Sequence, residues 1–186
     1  MSWDESNPIR HKCPCGRGTY TERFSSNDWG QSRTEWAMDC PSCKKDYVLH
    51  TYEYYHHGLC ETGHRWIKKD IYKKANGLEK SAKRLIGDAV HLAQSRYEDR
   101  WLAHFKDKTK KEIWAELTRN GEKYPSLGTF YKHVGSEGMS AYLSRYFEKE
   151  HILDIFRILN ISDDKILLKL TEADKATGEA GQLLSS

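Results

Sequence analysis

The spacing of hydrophobic residues changes near residue 64 of this 186-residue chain. Before that point, short stretches rich in Thr, Tyr, Phe and Val alternate partly between polar and apolar residues, which is typical of β-strands. Strands are therefore predicted at residues 19–24, 34–38 and 46–52, with residues 25–30 as the loop between the first two. After residue 64 the apolar residues recur every three or four positions, as they do on one face of an α-helix.

The first helical stretch carries a seven-residue apolar repeat. Leucine or isoleucine alternates with alanine at spacings of four and three, the pattern of a helix that packs closely along a second helix. Asn76 and Gly77 interrupt the repeat and predict a break between a short helix and a longer one that ends near Phe105. Two interpretations stay open: packing within the chain's own domain, or a homodimer. The residues of this seam are Ile71, Ala75, Leu78, Ala82, Leu85, Ala89 and Leu92.

Helix-capping patterns locate two short helices further along the chain. Thr109 and Glu112 form a capping box, in which each side chain accepts a hydrogen bond from the other residue's backbone amide. The helix that they open is predicted to stop at Asn120, and Ser126 caps the next helix. Two short helices joined by a glycine-containing turn predict a helix-turn-helix over residues 109–134.

The rest of the chain supplies packing surfaces for this helical region. Apolar stripes at residues 142–147 and 152–159 predict two amphipathic helices, and Ser162 begins a last one. The sequence from Ala173 onward is rich in Gly, Ser and Thr. It is predicted to be a flexible tail.

Composition is that of a folded protein without a membrane span. Hydrophobic residues make up 38% of the chain and charged residues 31%, yet aromatic residues reach 12%, which disordered chains rarely do. There is no apolar run of about 18 residues, and the N-terminus lacks the basic and apolar pattern of a secretory signal. We therefore expect a cytoplasmic protein, in which cysteine pairs more often bind metal than form disulfides.

The formal net charge of +3 is distributed unevenly. Residues 65–133 carry seventeen Lys or Arg against nine Asp or Glu, whereas the segments on both sides are mildly acidic. A basic central segment predicts that the central helices bind a polyanion. The alternative is a solvated, lysine-rich helix surface.

Two pairs of cysteines carry the clearest chemistry. Cys13 and Cys15 flank a proline, and Cys40 and Cys43 follow after twenty-four residues. Two close pairs on separate turns can supply four thiolates to one tetrahedral zinc ion. A zinc ion with four protein ligands has no open position for substrate, which argues against metal catalysis at this site.

This arrangement resembles the zinc-ribbon family over residues 11–52. Members of that family place a cysteine knuckle at each end of a short β-sheet, so the resemblance implies one structural zinc ion that drives folding of this segment. The first pair is separated by one residue, where the commoner pattern has two or more. His11 is therefore an alternative to one of the thiolates.

A second group of metal-binding residue types follows the ribbon. Cys60, His64 and one of His56 or His57 are candidates for a second metal site. Paired histidines after a β-ribbon are also similar to the start of a His-Asn-His nuclease finger, although no matching Asn and His follow on a helix. We interpret the segment as a polar loop that joins the ribbon to the first helix, and keep a metal-dependent nuclease as the enzymatic alternative.

The second helix of the predicted helix-turn-helix resembles the recognition helices of resolvase-type regulators at Gly128, Thr129, Tyr131 and Lys132. The resemblance implies that residues of this helix face the major groove and that nearby lysines hold phosphates. The base contacts would be Ser126, Thr129, Lys132 and His133, and the phosphate contacts Lys110, Lys111 and Lys123.

The sequence thus predicts an α+β protein: an N-terminal β zinc ribbon followed by an all-α region of five or six helices. The predicted divisions are residues 1–64 for the ribbon and connecting loop, 65–172 for the helical domain and 173–186 for the tail. The predicted function is DNA binding without enzymatic activity, as in a transcriptional regulator of a bacterium or mobile element. The non-enzymatic alternative is a protein-binding adaptor or inhibitor that uses the aromatic ribbon residues Trp29, Trp36, Tyr47, Tyr52, Tyr54 and Tyr55.

Overall fold

The computed structural model describes residues 3–185 and has the predicted α+β class. Antiparallel strands and the cysteine turns come first, and six helices follow the strands in this described part. Contacts within the described residues form two compact units, one of the residues up to Gly77 together with those from Ala180 onward, and one of Leu78–Glu179. None of the described helices is both long and apolar enough to cross a bilayer.

The first sheet has four antiparallel strands centred on β3 (Thr19–Asn27). The strands β1 (Trp3–Glu5) and β2 (Ile9–Lys12) pair with successive parts of one edge of β3, and β4 (Ser32–Met38) pairs with the other edge. The register of β3 and β4 sets Tyr20 opposite Met38. Two of the three predicted strands lie here, whereas β1 and β2 are too short and too exposed to show a sequence pattern.

A second sheet is the hairpin of β5 (Tyr47–His56) and β6 (Leu59–Lys68). The prediction of a polar loop after residue 52 was wrong, because these residues continue β5, turn and return as β6. His57 and Gly58 both have positive φ, 49° and 80°, which is the backbone of a two-residue hairpin turn with the twist that strands prefer. The short helix α1 (Pro41–Asp46) connects the two sheets along the chain.

The long helix α2 (Lys69–Phe105) runs without interruption through Asn76 and Gly77. The predicted break was wrong, although its predicted end at Phe105 is confirmed. One glycine in a helix interior costs only about 1 kcal/mol relative to alanine. This cost is small compared with the stabilisation from the tertiary packing of a helix face that buries several alanines.

The alanines of the seam are buried within the single chain. Ala75, Ala82 and Ala89 are 0%, 3% and 0% exposed. In the second unit, α7 (Asp164–Ser185) lies along α2, since Lys169 pairs with Asp88 at 3.3 Å. The seam therefore packs inside the chain, and the homodimer interpretation loses the surface on which it depended.

The helical core gathers around the end of α2. Trp101 is fully buried and donates its indole Nε1 hydrogen to the Leu143 carbonyl at 2.9 Å. The helices around it are α3 (Lys110–Leu117), α4 (Leu127–Glu137), α5 (Met139–Ser144) and α6 (Lys149–Leu159). The predicted capping box of Thr109 and Glu112 is confirmed, with both of its hydrogen bonds present.

The residues predicted to form a flexible tail are helical as far as Ser185, and Ser186 lies outside the described residues. Ala173, Ala180 and Leu184 are buried and are spaced by seven and four positions, which puts them on one face of α7. Glycine and serine in this segment masked that apolar stripe in the sequence.

Candidate metal centre and basic surfaces

The four cysteines lie on two turns that the β-sheet brings together. Cys13 and Cys15 belong to the connection between β2 and β3, while Cys40 precedes α1 and Cys43 lies in its first turns. Gly16 has a φ of 74° and donates its amide hydrogen to the Cys13 carbonyl at 2.9 Å. This left-handed residue lets the chain reverse directly after the second sulfur.

Glycine is also required at residue 18 because the two turns approach each other closely. A Cβ atom at Gly18 would lie 2.8 Å from the Cβ of Cys40, closer than two carbon atoms can pack. The Gly18 amide donates to Cys13 Sγ at 3.3 Å. Backbone amides that donate to sulfur delocalise the negative charge of a thiolate and support its bond to a metal.

The sulfur positions fit a tetrahedral zinc ion. All four Sγ atoms lie within 4.8 Å of one another, with Cys13 to Cys15 at 3.4 Å and Cys15 to Cys40 at 3.7 Å. Zinc–sulfur bonds of about 2.3 Å in a tetrahedron separate the sulfurs by about 3.8 Å. Cys13, Cys40 and Cys43 are buried. The predicted ligand set is therefore gathered in one place, consistent with a zinc-ribbon-like fold.

The thiols differ in their acidity before any metal binds. The Arg17 backbone amide, followed by hydrogen bonds from Cys43 and Cys13, lowers the pKa of Cys15 to about 6. Burial raises the pKa of Cys43 to about 12. Because zinc binds thiolates, metal binding at neutral pH displaces the remaining protons, so affinity falls as the pH is lowered.

His11 does not belong to the metal centre. Its Nε2 atom lies 2.9 Å from Glu22 Oε2, and its ring stacks on Tyr20 at 4.9 Å between centroids. These contacts hold the imidazole on the sheet and away from the thiols. The candidate metal group in the described residues consists of the four cysteines without His11.

The second group of cysteine and histidines is not assembled. In the β5–β6 register, Cys60 pairs with Tyr55 and the neighbouring His56 pairs with Leu59, so Cys60 and His56 point to opposite faces of the hairpin. His64 shares a face with Cys60 but lies four residues further along the strand, about 13 Å away. Within residues 3–185, Cys13, Cys15, Cys40 and Cys43 form the only such candidate group, and the nuclease alternative has no converging ligands.

The predicted DNA-contacting residues divide into exposed and engaged groups. Lys110, Lys111 and Lys132 are exposed. Ser126 caps α4 and lies 3.0 Å from the Thr129 hydroxyl, so both hydroxyls are at the N-terminus of that helix. The helix buries Phe130 and Val134 on its opposite face.

Two of the predicted contacts have partners inside the chain. Lys123 forms an ion pair with the buried carboxylate of Asp154, which also accepts from Arg119 at 3.0 Å. His133 is half-buried, and its ring lies 6.4 Å from that of Tyr142. The sequence could not predict the pairing of Lys123, because Asp154 is 31 positions away.

The aromatic residues of the adaptor hypothesis do not share one exposed surface. Trp29 is 78% exposed and Tyr55 is 82% exposed, whereas Trp36, Tyr47 and Tyr52 are half-buried. The exposed members stand on the β3–β4 turn and near the tip of the β5–β6 hairpin. Their arrangement gives no direct support to a single protein-binding face.

A basic groove beside the cysteine turns is a feature that residue motifs missed. It has a volume of about 540 Å³ and lies between the cysteine turns and the start of α2. The signal was present in the charge pattern: residues 65–84 carry eight Lys or Arg against two Asp or Glu. The charged residues that line the groove are Arg17, Lys45, Lys68, Lys69 and Lys73, with Asp46 and Asp70.

Comparisons with protein-family models, with curated proteins and with solved structures give no match for this chain. What it does has to be argued from its own residues.

Proposed function

We propose that this chain is a zinc-supported DNA-binding protein that acts as a transcriptional regulator. The observation that carries the proposal is the basic charge at the end of β6 and in the first half of α2. Of the eight Lys and Arg residues between positions 65 and 84, none forms an ion pair with an acidic residue in the described part of the chain. Cations without acidic partners at the end of β6 and in the first half of α2 favour a polyanionic partner.

Phosphate neutralisation would supply the affinity. The basic groove is lined by Arg17 and Lys45 from the cysteine turns, by Lys68 at the end of β6 and by Lys73 near the start of α2. Lysines that contact phosphates release condensed counterions from the duplex, which makes the affinity depend on salt concentration. Zinc would hold the first two cations in place, because the turns that carry them are also the turns that carry its ligands.

Base contacts would come from the helical unit. The half-buried Thr129 and the exposed Lys132 lie on α4, while the exposed Lys110 and Lys111, the predicted phosphate contacts, begin α3. Short helices with a buried apolar face and an exposed polar face are suited to the major groove. Lys123 and His133 have partners within the chain, so the proposal assigns them supporting positions instead of direct contacts.

The experiment is a titration of the zinc-loaded chain against duplex DNA at several salt concentrations. Changing Lys68 and Lys73 to Ala should weaken binding to all sequences and reduce the slope of log affinity against log salt by roughly two if both contact phosphate. Changing Lys165 and Lys175 to Ala is the control, since both are exposed on α7. In contrast, Lys132→Ala should alter base preference as well as affinity.

Binding to duplex DNA that does not respond to salt would overturn the proposal. So would an equal loss of affinity in the control and test variants, because the effect would then follow from net charge alone.

A further inference from the structure

Cys15 differs from the other three cysteines of the candidate metal centre in its exposure. Cys13, Cys40 and Cys43 are 4%, 7% and 1% exposed, whereas Cys15 is half-buried. Cys15 also lines the basic groove, together with the buried Cys43. The groove therefore gives a small molecule from solvent a route to one sulfur of the metal centre.

The surroundings of this sulfur are electropositive. Five Lys or Arg residues and two Asp residues supply the charged lining of the groove. Partly exposed cysteines in positively charged surroundings are the reactive ones in proteins, whereas buried structural cysteines are inert. Cys15 therefore combines the position of a metal ligand with the environment of a reactive thiol.

Two further sulfurs lie close to Cys15. Its Sγ atom is 3.4 Å from that of Cys13 and 3.7 Å from that of Cys40. A disulfide bond is about 2 Å long, so either sulfur reaches bonding distance through a small movement. A second thiol next to an accessible one is typical of oxidation-sensitive cysteines.

We propose that Cys15 is a peroxide-reactive residue whose oxidation abolishes metal binding and DNA binding together. In the first step the Cys15 sulfur attacks one oxygen of hydrogen peroxide and the O–O bond breaks. The second oxygen leaves as hydroxide and takes up a proton to become water, so that Cys15 carries a sulfenic acid. Arg17 and Lys45 line the same groove, and their positive charges favour the departing hydroxide.

The second step closes a disulfide. The sulfur of Cys13 or Cys40 attacks the oxidised Cys15 sulfur and displaces hydroxide, which becomes the second water. The two thiolates lose two electrons in all, and these electrons reduce one peroxide to two waters with two protons from solvent. Either disulfide removes two of the four ligands, and two thiolates are too few for a structural zinc site.

Occupation of the groove should control access to this sulfur. Lys68 and Lys73 line the groove together with Cys15, so a duplex that they hold covers the route of the peroxide. This part of the inference rests on the proposed function. Oxidation should in turn weaken DNA binding, because Arg17 and Lys45 lie on the turns that lose their metal.

The test treats the zinc-loaded full chain with hydrogen peroxide. One sample contains a chromogenic zinc chelator, and a parallel sample contains dimedone, which labels sulfenic acids. Zinc should be released, and mass spectrometry should find the dimedone label on Cys15 ahead of the three buried ligands. A dithiol reductant with added zinc should restore the zinc content.

Cys60→Ser is the matched control, because Cys60 is exposed on β6 outside the metal group. This variant should release zinc at the rate of the parent. If it resists peroxide instead, the reactive residue is Cys60 and the inference is wrong.

Duplex DNA tests the part played by the groove. At ten times the dissociation constant, DNA occupies about nine-tenths of the chain, so zinc release by peroxide should slow roughly tenfold. The same duplex concentration should protect the Lys68 and Lys73 variant less. An equal rate of release with and without bound duplex would show that the groove is not the route.

Retention of zinc after oxidation of Cys15, or a dimedone label on a buried cysteine before Cys15, would overturn the inference. Its failure is distinguishable from failure of the proposed function. A chain that is labelled at Cys15 but does not bind duplex contradicts the proposed function alone. A chain that binds duplex but is not labelled at Cys15 contradicts this inference alone.

Discussion

Asp163 is a buried carboxylate whose partners come from two helices. It accepts hydrogen bonds from Arg96 Nη1 at 2.6 Å, from the Tyr97 hydroxyl at 2.9 Å and from the backbone amide of Ile166 at 3.3 Å. Burial by itself raises the pKa of this carboxyl, but the bonds from Arg96 and Tyr97 outweigh it and hold the pKa below its ordinary value. The charged form is therefore the one that stabilises the fold.

This carboxyl should make the free energy of unfolding depend on pH. A carboxyl whose pKa is lower in the folded state stabilises the fold above its unfolded pKa of about 4, and this stabilisation is lost as the pH falls through the folded pKa. Asp163→Asn should lower the free energy of unfolding at pH 7 by about 1 to 3 kcal/mol. The difference from the parent should shrink at pH 3, as measured by urea unfolding with circular dichroism.

Asp164→Asn is the matched control for this variant, because Asp164 is exposed and adjacent to Asp163 in the sequence. It should have little effect at either pH. Any zinc that the cysteines bind would be released from the parent and the variant alike at low pH, so the difference between them isolates the carboxyl. A difference that stays the same at pH 3 would contradict this account of Asp163.

At this scale the sequence predicts local contacts well and distant ones poorly. The four cysteine ligands and the pair Thr109 and Glu112 follow from spacing, because each pair lies within one turn of the chain. The ion pair between Lys123 and Asp154 could not be predicted from spacing, because the packing of the intervening helices α4 and α5 brings the two residues together.

At the scale of elements, the seam of α2 was correctly located but its partner was left open. Alternation of alanine with larger residues predicts close approach of a second helix, and this pattern does not specify whether that helix belongs to the same chain. The α7 stripe that lies along α2 in the second unit was hidden by its glycines and serines.

A buried charge in the seam distinguishes the two arrangements. Ala82 is 3% exposed, so Ala82→Glu should lower the free energy of unfolding by roughly 3 kcal/mol or more, since it places a carboxylate in an apolar contact. Lys83→Glu, at an exposed position on the same helix, should be mild. Thermal unfolding and light scattering of the parent and both variants provide the measurement.

An internal seam predicts a parent with the mass of one chain and a poorly folded Ala82→Glu variant. A parent that is dimeric, together with an Ala82→Glu variant that is a folded monomer, would restore the homodimer interpretation.

The β5–β6 hairpin shows why one element was missed. Residues 53–57 are Glu-Tyr-Tyr-His-His, a run without the alternation that marks a half-buried strand. Pairing across the hairpin, and not burial, holds these residues in a strand, since Tyr54, Tyr55 and His56 are all exposed. Sequence patterns report burial, so they cannot report such a strand.

At the scale of the whole molecule, each unit carries one part of the proposed function. The first unit contains the candidate metal centre and the basic groove. The second contains the two short capped helices. The division into a β ribbon and helices followed from a change of hydrophobic period. The surfaces of the ribbon could not be predicted from this change, because they depend on which strands pair.

The zinc centre is the central claim, since the basic groove includes residues of the turns that it would stabilise. The most direct measurement is the zinc content of purified full chain, by native mass spectrometry and elemental analysis. The account predicts one zinc ion per chain, lost in Cys40→Ser with unfolding of residues 11–52, and retained in Cys60→Ser, because Cys60 is exposed on β6 outside the candidate group. Less than about half a zinc ion per chain in the parent would contradict it.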